Sequence, residues 1–113
     1  MKKSLEIIKE LKKYCEQIGY REKVLVRKDY FFPILKRYAK RSFGLNLFCK
    51  HWRVFFRDGS CLHFEDCDST KYYYVHLDRY DPHRYPIHHL IFDAPHLLVI
   101  GGILYMILKK ASV

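Results

Sequence analysis

Side chains suited to proton transfer are concentrated in the second half of this chain of 113 residues. All seven histidines lie between His51 and His96, and Arg53 and Glu65 lie among the first of them. Histidine has a reference pKa of about 6.5, so it can act as an acid or a base near neutrality. The residue types in this region therefore predict general acid–base chemistry.

RNA cleavage is one reaction that such a set can catalyse. Attack by a 2′-hydroxyl needs a base for that proton, a cation for the charge on phosphorus and an acid for the leaving oxygen. The candidates are Glu65 or His51 as base, His63 or His83 as acid, and Arg53 and Arg79 as phosphate clamps. A charged outer face with cross-strand pairs and no catalytic role is the alternative interpretation.

Positive charge is concentrated in the first half of the chain. Residues 1–57 carry sixteen Lys and Arg against five acidic residues, whereas residues 58–113 carry five against seven. The net charge of +9 favours association with polyanions, because each neutralised phosphate releases condensed counterions. RNA is the predicted partner, and an acidic protein or a membrane surface is the alternative.

Two helices are predicted in this basic half. The first has an apolar stripe and ends before Gly19; the stripe consists of Leu5, Ile8, Leu11, Cys15 and Ile18. The second helix runs from Asp29 to Arg41. One stripe of the second helix is basic and consists of Lys36, Arg37, Lys40 and Arg41. We expect this stripe to follow a phosphate backbone, with a solvated face as the alternative.

From Leu45 the hydrophobic period changes to two, which predicts three antiparallel strands: Phe48 to Phe56, Leu62 to Glu65 and Tyr72 to Leu77. Asp58-Gly59 joins the first two strands, and this dipeptide fits a turn of two or of three residues. In the three-residue turn Phe56 pairs with Ser60. The apolar residues then share one face; they are Phe48, Trp52, Val54, Phe56, Leu62 and Phe64. A single buried face favours this register, because a one-residue slip moves a strand's whole apolar set to the other side.

The same register predicts the contents of the opposite, polar face. Arg53 lies opposite His63 there, and His51 lies opposite Glu65. The third strand directs its core residues inward and adds three polar-side residues, Tyr72, Tyr74 and His76. Tyrosines in this position can stack on unpaired bases, which is worth about 1 to 3 kcal/mol each in single-strand binders.

The cysteines leave three interpretations open. Cys49 lies opposite Cys67 in this register, close enough for a cross-strand disulfide. Zinc bound by Cys49, His51 and Cys67 is an alternative, although the spacing is not a standard zinc pattern. A divalent metal could also bind farther along the chain, at Asp81, His83, His88 and His89. We predict no cofactor for the catalytic reaction.

Residues 58–96 resemble the TumE-type toxins of toxin–antitoxin systems. The matching pieces follow in the family's order: the turn at Gly59, the strand leading to Glu65, Tyr72-Tyr73-Tyr74, Arg79-Tyr80-Asp81, Pro82-His83 and Pro86-Ile87-His88-His89. The resemblance covers about a third of the chain, and the family's Asp-Asn-Ala-Pro-His is shortened here to Asp81-Pro82-His83. It implies a toxin component that acts on RNA and is neutralised by an antitoxin protein.

An apolar segment, Leu97 to Leu108, follows this region, and it predicts a helix opened by Asp93 as cap with Pro95 in its first turn. Such a helix is about 18 Å long, too short to cross a hydrocarbon core of about 30 Å, so we expect no membrane partner. We expect the helix to be buried or to join two copies in a homodimer. A buried strand over the same residues is the alternative.

These elements predict a single α+β domain over residues 1–113, with two N-terminal helices, an antiparallel sheet of three or more strands and a C-terminal apolar helix or strand. The N-terminal residues lack a secretory signal pattern, and Asn and Gln occur once each. Both observations favour a cytoplasmic protein of a heat-adapted organism. Two functions compete with the RNA-cleaving toxin: a non-catalytic nucleic-acid-binding protein with structural or zinc-binding Cys and His, and an interaction module that docks through its terminal helix.

Overall fold

The structure, a computed structural model, describes residues 3–67 and 70–111. Within these ranges four helices and five strands follow one another as α1 (Ser4–Ile18), β1 (Val24–Arg27), α2 (Lys28–Tyr38), β2 (Lys40–Ser42), β3 (Lys50–Phe55), β4 (Cys61–Asp66), β5 (Tyr72–Asp78), α3 (Pro86–Phe92) and α4 (Pro95–Ala111). The strands form one antiparallel sheet in the order β1-β5-β4-β3-β2. The predicted α+β class is confirmed.

The core lies between one face of the sheet and the helices α1 and α2. The helices contribute Ile8, Leu11, Cys15, Phe31, Ile34 and Leu35, and the strands contribute Val54, Leu62, Phe64, Tyr73, Val75 and Leu77. The stripe predicted on α1 is buried at its centre, whereas Leu5 and Ile18 at its ends are exposed. The second face of the sheet is thereby left for polar side chains.

The register of the β3–β4 hairpin agrees with the prediction. The amide N–H of Phe56 donates to the carbonyl oxygen of Ser60 at 3.0 Å, which leaves a turn of three residues, 57–59. Gly59 has a φ of 92°, a conformation that glycine adopts without strain. Arg53 therefore lies opposite His63, and His51 opposite Glu65, on the polar face.

The prediction for the second helix is wrong at its C-terminal end. The helix ends at Tyr38, because Ala39 adopts an extended backbone with φ −91° and ψ 152°. Lys40 and Arg41 belong to β2, which pairs with β3 at the edge of the sheet. The four basic side chains of residues 36–41 therefore do not form one helical stripe.

The first strand of the hairpin also begins later than predicted. β3 starts at Lys50, and Phe48 is 97% exposed instead of joining the core. The cause is a turn at Asn46, whose side-chain oxygen accepts from the N–H of Phe48 and whose carbonyl oxygen accepts from that of Cys49. Residues 43–49 thus cross the edge of the polar face as an irregular segment.

The C-terminal helix forms as predicted, but its start and its surroundings differ. Asp93 does not cap it; the carboxylate of Asp93 accepts from the backbone N–H groups of Arg79 and Tyr80. The apolar side chains described from Val99 to Leu108 are each more than half exposed, so the expectation that this helix is buried within the chain is wrong. The homodimer through this segment stays a prediction.

One further helix, α3, lies where the sequence predicted only a loop, and Pro86 opens it. Among the described residues no single helix has both the length and the apolar content to cross a membrane. The pair formed by α3 and α4, bent by 90° at the break between them, meets these criteria only when the two helices are taken together.

Candidate active site

The polar face of β3, β4 and β5 forms the floor of a cleft of about 820 Å³. Residues 43–46 border it on one side, and the ends of α3 and α4 border it on the other. The acidic, basic and histidine side chains that line this cleft are, from the sheet and its edge, Lys23, Arg53, His63, Glu65, His76 and Asp78, and, from the surrounding segments, Arg21, Glu22, His89, Asp93 and His96. Three neighbouring strands supply most of the first six, since period-two alternation puts every second residue of each strand on this face.

Three histidines, one from each central strand, form a row of hydrogen bonds across this floor. His51 Nδ1 lies 2.8 Å from His63 Nε2, and His63 Nδ1 lies 3.3 Å from His76 Nε2. At one end His51 Nε2 lies 2.7 Å from the carbonyl oxygen of Asn46, which can only accept. At the other end His76 Nε2 lies 2.9 Å from the carboxylate of Asp78. When each of the three rings carries a proton on Nε2, His51 donates to Asn46, His63 donates to His51, and the one Nε2 proton of His76 is shared between Asp78 at 2.9 Å and His63 Nδ1 at 3.3 Å.

His63, at the centre of the row, is held neutral. Burial and the neighbouring charges of Arg53 and His76 lower its pKa to about 2. His63 therefore carries no excess proton near neutral pH and does not fit the role of the acid in RNA cleavage. Its place between two other rings, together with an exposure of 4%, fits a residue that orients its neighbours.

The side chain of Arg53 also makes its hydrogen bonds within the protein. Its side chain is 2% exposed, and its Nη1 donates to Asp78 Oδ2 at 2.5 Å. Its Nε donates to Ser42 Oγ at 2.9 Å and its Nη2 to the carbonyl oxygen of Phe43 at 3.3 Å. With these donors engaged, Arg53 fixes the border of the cleft and does not offer a free fork to a phosphate.

Asp78, on β5, carries the negative charge that pairs with the Arg53 guanidinium. Burial alone would raise the pKa of its carboxyl group, but the hydrogen bond from His76 and the charges of His76 and Arg53 hold that pKa well below its usual range. Asp78 is therefore an anion at every physiological pH. It ties the arginine of β3 to the histidine row.

Glu65 and His76 are the members of the polar face that reach the cleft while only partly buried. Glu65 lies directly opposite Tyr74 and His63 opposite His76, so Glu65 and His76 are diagonal neighbours on adjacent strands. Such neighbours have Cα atoms roughly 7 to 8 Å apart. Lys23 stands at the mouth of the cleft, with its ammonium 5.7 Å from the centroid of the Tyr74 ring.

Arg79 and His83, the two remaining predicted catalytic residues, do not line the cleft. Arg79 is exposed, and its guanidinium packs over the rings of Tyr20 and Phe92. His83 is also exposed and lies at the edge of the sheet, where its Nε2 is 2.9 Å from Ser42 Oγ. The loop after β5 carries His83 across to this edge, and the N–H of Asp81 anchors that loop to the carbonyl oxygen of Gly59 at 2.8 Å.

Cys49 and Cys67 form a disulfide, with their Cα atoms 4.5 Å apart. The register of the hairpin predicted this pairing as one of three alternatives. Zinc bound by Cys49, His51 and Cys67 is therefore excluded here, because both sulfur atoms are covalently bonded to each other. The other two cysteines, Cys15 and Cys61, are free and buried.

The second metal set predicted from the sequence is not assembled either. Asp81 is fully buried and pairs with Arg84, while His88 packs against the rings of Tyr80 and Tyr85. In residues 3–67 and 70–111, three other groups place donor atoms within 4.8 Å of one another: His51, His63 and Glu65; His63, His76 and Asp78; and Asp78, His89 and Asp93. The last two use Asp78, whose carboxylate is already paired with a guanidinium.

The predicted nucleic-acid-binding residues lie on separate elements. Lys36 and Arg37 are on the last turn of α2, and Lys40 and Arg41 are on the exposed edge strand β2. Tyr72 and Tyr74 are on β5, where Tyr72 is exposed and Tyr74 is half-buried beside the cleft.

Sequence reasoning missed Asp78 and Ser42 on the polar face, and Lys23 as a residue that lines the cleft. Asp78 could have been found, because it follows Tyr74 and His76 at the same spacing of two. No sequence signal connects Lys23 or Ser42 to the cleft, since their positions depend on β1 and β2, two short strands at opposite edges of the sheet.

No protein-family model, curated protein or solved structure matches the chain. The resemblance to TumE-type toxins therefore rests on the motifs of residues 58–96 alone.

Proposed function

We propose that this protein is an RNA-cleaving toxin, with Glu65 and His76 as its base and acid. The observation that carries the proposal is the diagonal placement of these two side chains on the floor of one cleft. Their Cα atoms are roughly 7 to 8 Å apart, and both side chains project from the same face of the sheet into the cleft. A base on one side and an acid on the other is the arrangement that in-line attack by a 2′-hydroxyl requires.

In this reaction Glu65 takes the proton of the 2′-hydroxyl. The carboxylate of Asp78 holds the Nε2 proton of His76, so Nδ1 is the atom of His76 that gives a proton to the leaving 5′-oxygen. Lys23 replaces Arg53 as the cation that meets the charge on phosphorus, because its ammonium is exposed at the mouth of the cleft. The buried row of His51 and His63 keeps His76 in place.

The distribution of charge supports RNA as the substrate. The basic first half supplies Lys23 beside the cleft and further cations on α2 and β2. Tyr74 adds an aromatic surface next to Glu65, on which an unpaired base can stack. We also propose an antitoxin protein as the partner and the cytoplasm of a heat-adapted cell as the location; such cytoplasm tolerates a structural disulfide.

The test is cleavage of an end-labelled single-stranded RNA by the purified protein in the presence of EDTA. We expect cleavage products that end in a 2′,3′-cyclic phosphate, and no cleavage at a position that carries 2′-deoxyribose. The variants Glu65→Gln and His76→Gln should each slow cleavage by roughly 100-fold or more, since general acid–base catalysis contributes that much.

His88→Gln is the matched control, because His88 is exposed and does not line the cleft. It should cleave at the rate of the wild type. Retained RNA binding with no cleaved product in the wild type would instead establish the non-catalytic nucleic-acid-binding protein. Cleavage that EDTA abolishes would overturn the metal-independent mechanism.

A further inference from the structure

A serine and a histidine meet at the edge of the sheet, where β3 separates them from Glu65 on β4. Ser42 is the last residue of β2 and lies opposite His51, so its side chain belongs to the polar face. His83 reaches it from the loop after β5, which places His83 Nε2 2.9 Å from Ser42 Oγ. Residues 41 positions apart are thus brought into hydrogen-bond contact.

The third partner of this pair determines where the serine proton points. Arg53 Nε donates to Ser42 Oγ at 2.9 Å, and a guanidinium can only donate. The hydroxyl oxygen therefore accepts from Arg53, and when His83 carries its proton on Nδ1 the serine hydroxyl donates its own proton to His83 Nε2. A serine whose proton faces an imidazole and whose oxygen faces a cation is in the arrangement of an activated nucleophile.

The contact is supported by neighbouring side chains. Arg53 is buried and fixed by Asp78, as described above. The ring of His83 packs against two aromatic rings, with centroid distances of 5.4 Å to Phe43 and 5.3 Å to Phe55. Ser42 itself is only partly buried and His83 is exposed, so the pair lies at the surface of the protein.

We propose that Ser42 is a nucleophile and His83 its general base, in a second reactive centre that takes phosphate esters. The surroundings favour an anionic electrophile over a neutral one. Lys40 lies on the same face, two residues before Ser42, and the segment from residue 40 to residue 57 contains no acidic residue. Arg53 is a positioning residue that also stabilises the charge that develops on Ser42 Oγ.

The step balances with these residues alone. Ser42 Oγ forms a bond to the phosphorus of the ester as its proton passes to His83 Nε2. The bond from phosphorus to the leaving oxygen breaks, and the leaving group departs with the electron pair and then receives the proton from His83. With a phosphonofluoridate in place of the ester, the phosphorus–fluorine bond breaks and fluoride leaves.

The first experiment is labelling of the full chain with a biotinylated alkyl phosphonofluoridate, followed by peptide mass spectrometry. We expect one adduct, on Ser42, and no labelling of Ser42→Ala. His83→Gln should slow labelling by roughly 100-fold, as loss of a general base does. His88→Gln is the control and should label at the wild-type rate. Thermal unfolding of each variant by circular dichroism checks that the variants are folded.

The class of substrate is tested with two chromogenic esters. Wild-type protein should release nitrophenolate from bis(4-nitrophenyl) phosphate, and Ser42→Ala should not. A larger Ser42-dependent acceleration over the uncatalysed rate for 4-nitrophenyl acetate than for the phosphodiester would overturn the assignment to phosphate esters. An adduct on another residue, no adduct, or labelling that His83→Gln leaves unchanged would overturn the nucleophile–base pair. RNA cleavage by the same preparation is scored separately, so either proposal can fail alone.

Discussion

Arg53 on β3 and Asp78 on β5 form an ion pair, with Nη1 and Oδ2 2.5 Å apart. Each of the two residues is 2% exposed. β4 lies between their strands, so the pair ties β3 to β5 above the intervening strand. It holds both the histidine row and Ser42 in place.

We therefore expect Asp78→Asn to lower the free energy of unfolding by about 3 to 5 kcal/mol, since it leaves a buried guanidinium unpaired. Urea unfolding followed by circular dichroism measures this loss. The double variant Arg53→Met with Asp78→Leu should recover much of the stability, because it removes both charges. A loss below about 1 kcal/mol in the single variant would show that water reaches Arg53.

The disulfide should contribute about 3 kcal/mol to stability, as expected for a cross-link that closes a loop of this size, since its cysteines are 18 positions apart in the sequence. It also pins the end of the segment 43–49, whose carbonyl oxygens accept from His51 and Arg53. Urea unfolding with and without reductant measures the loss, and Cys49→Ser should reproduce the effect of the reductant.

A thiol count is the independent check on that disulfide. In urea without reductant, two of the four cysteines should react with a thiol reagent, namely Cys15 and Cys61. All four should react after reduction. Four reactive thiols before reduction would contradict the cross-link.

Gly44 permits the segment 43–46 to lie against His51. A Cβ atom at this position would come within 2.4 Å of the His51 ring, so Gly44→Ala must displace either the segment or the ring. We expect a loss of about 1 to 3 kcal/mol, as in other overpacked sites, together with slower RNA cleavage. Gly101→Ala is the matched control; its Cβ meets nothing within 4 Å, and a helix interior favours alanine by up to about 1 kcal/mol.

His63 makes stability depend on pH in a known direction. Its folded pKa of about 2 lies below the 6.5 of the unfolded chain, so below about pH 6.5 the unfolded state binds a proton that the folded state does not. The contribution is present in full above pH 6.5 and is lost as the pH falls. His89 opposes this trend, because its hydrogen bond with Asp93 and the charge of Asp78 outweigh burial and raise its pKa.

Comparison of the wild type with His63→Gln isolates the contribution of His63. The free energy of unfolding of the wild type should fall more steeply between pH 7 and pH 5 than that of the variant. Urea midpoints at several pH values measure this difference. Equal slopes in the two proteins would mean that His63 is not held neutral in the folded state.

The central hairpin could be predicted from the sequence because its two strands leave only one register that buries a single face. That register placed Arg53 opposite His63, His51 opposite Glu65 and Cys49 opposite Cys67, and the structure has all three relationships. The reason is physical: alternation has a period of two, so an error of one residue exposes a whole apolar set. The register of this hairpin could therefore be predicted from the alternation of apolar residues in its two strands.

The edges of the fold could not be predicted in the same way. β2 is three residues long and basic, and it exists because β3 offers an unpaired edge. The loop that becomes α3 likewise owes its place to distant contacts, such as that of Arg21 Nη1 with the carbonyl oxygen of Asp93. Ser42 and His83 are both on such elements, so their contact had no local signal.

The three-residue turn between β3 and β4 affects both the hairpin and the loop after β5. Its length sets which side of the sheet every residue of the hairpin faces, and the carbonyl oxygen of Gly59 anchors the loop that carries His83. Surface turns ordinarily tolerate a change of length. Here an added residue would either shift the register, which moves the apolar side chains out of the core, or displace Gly59, which frees the loop that carries His83.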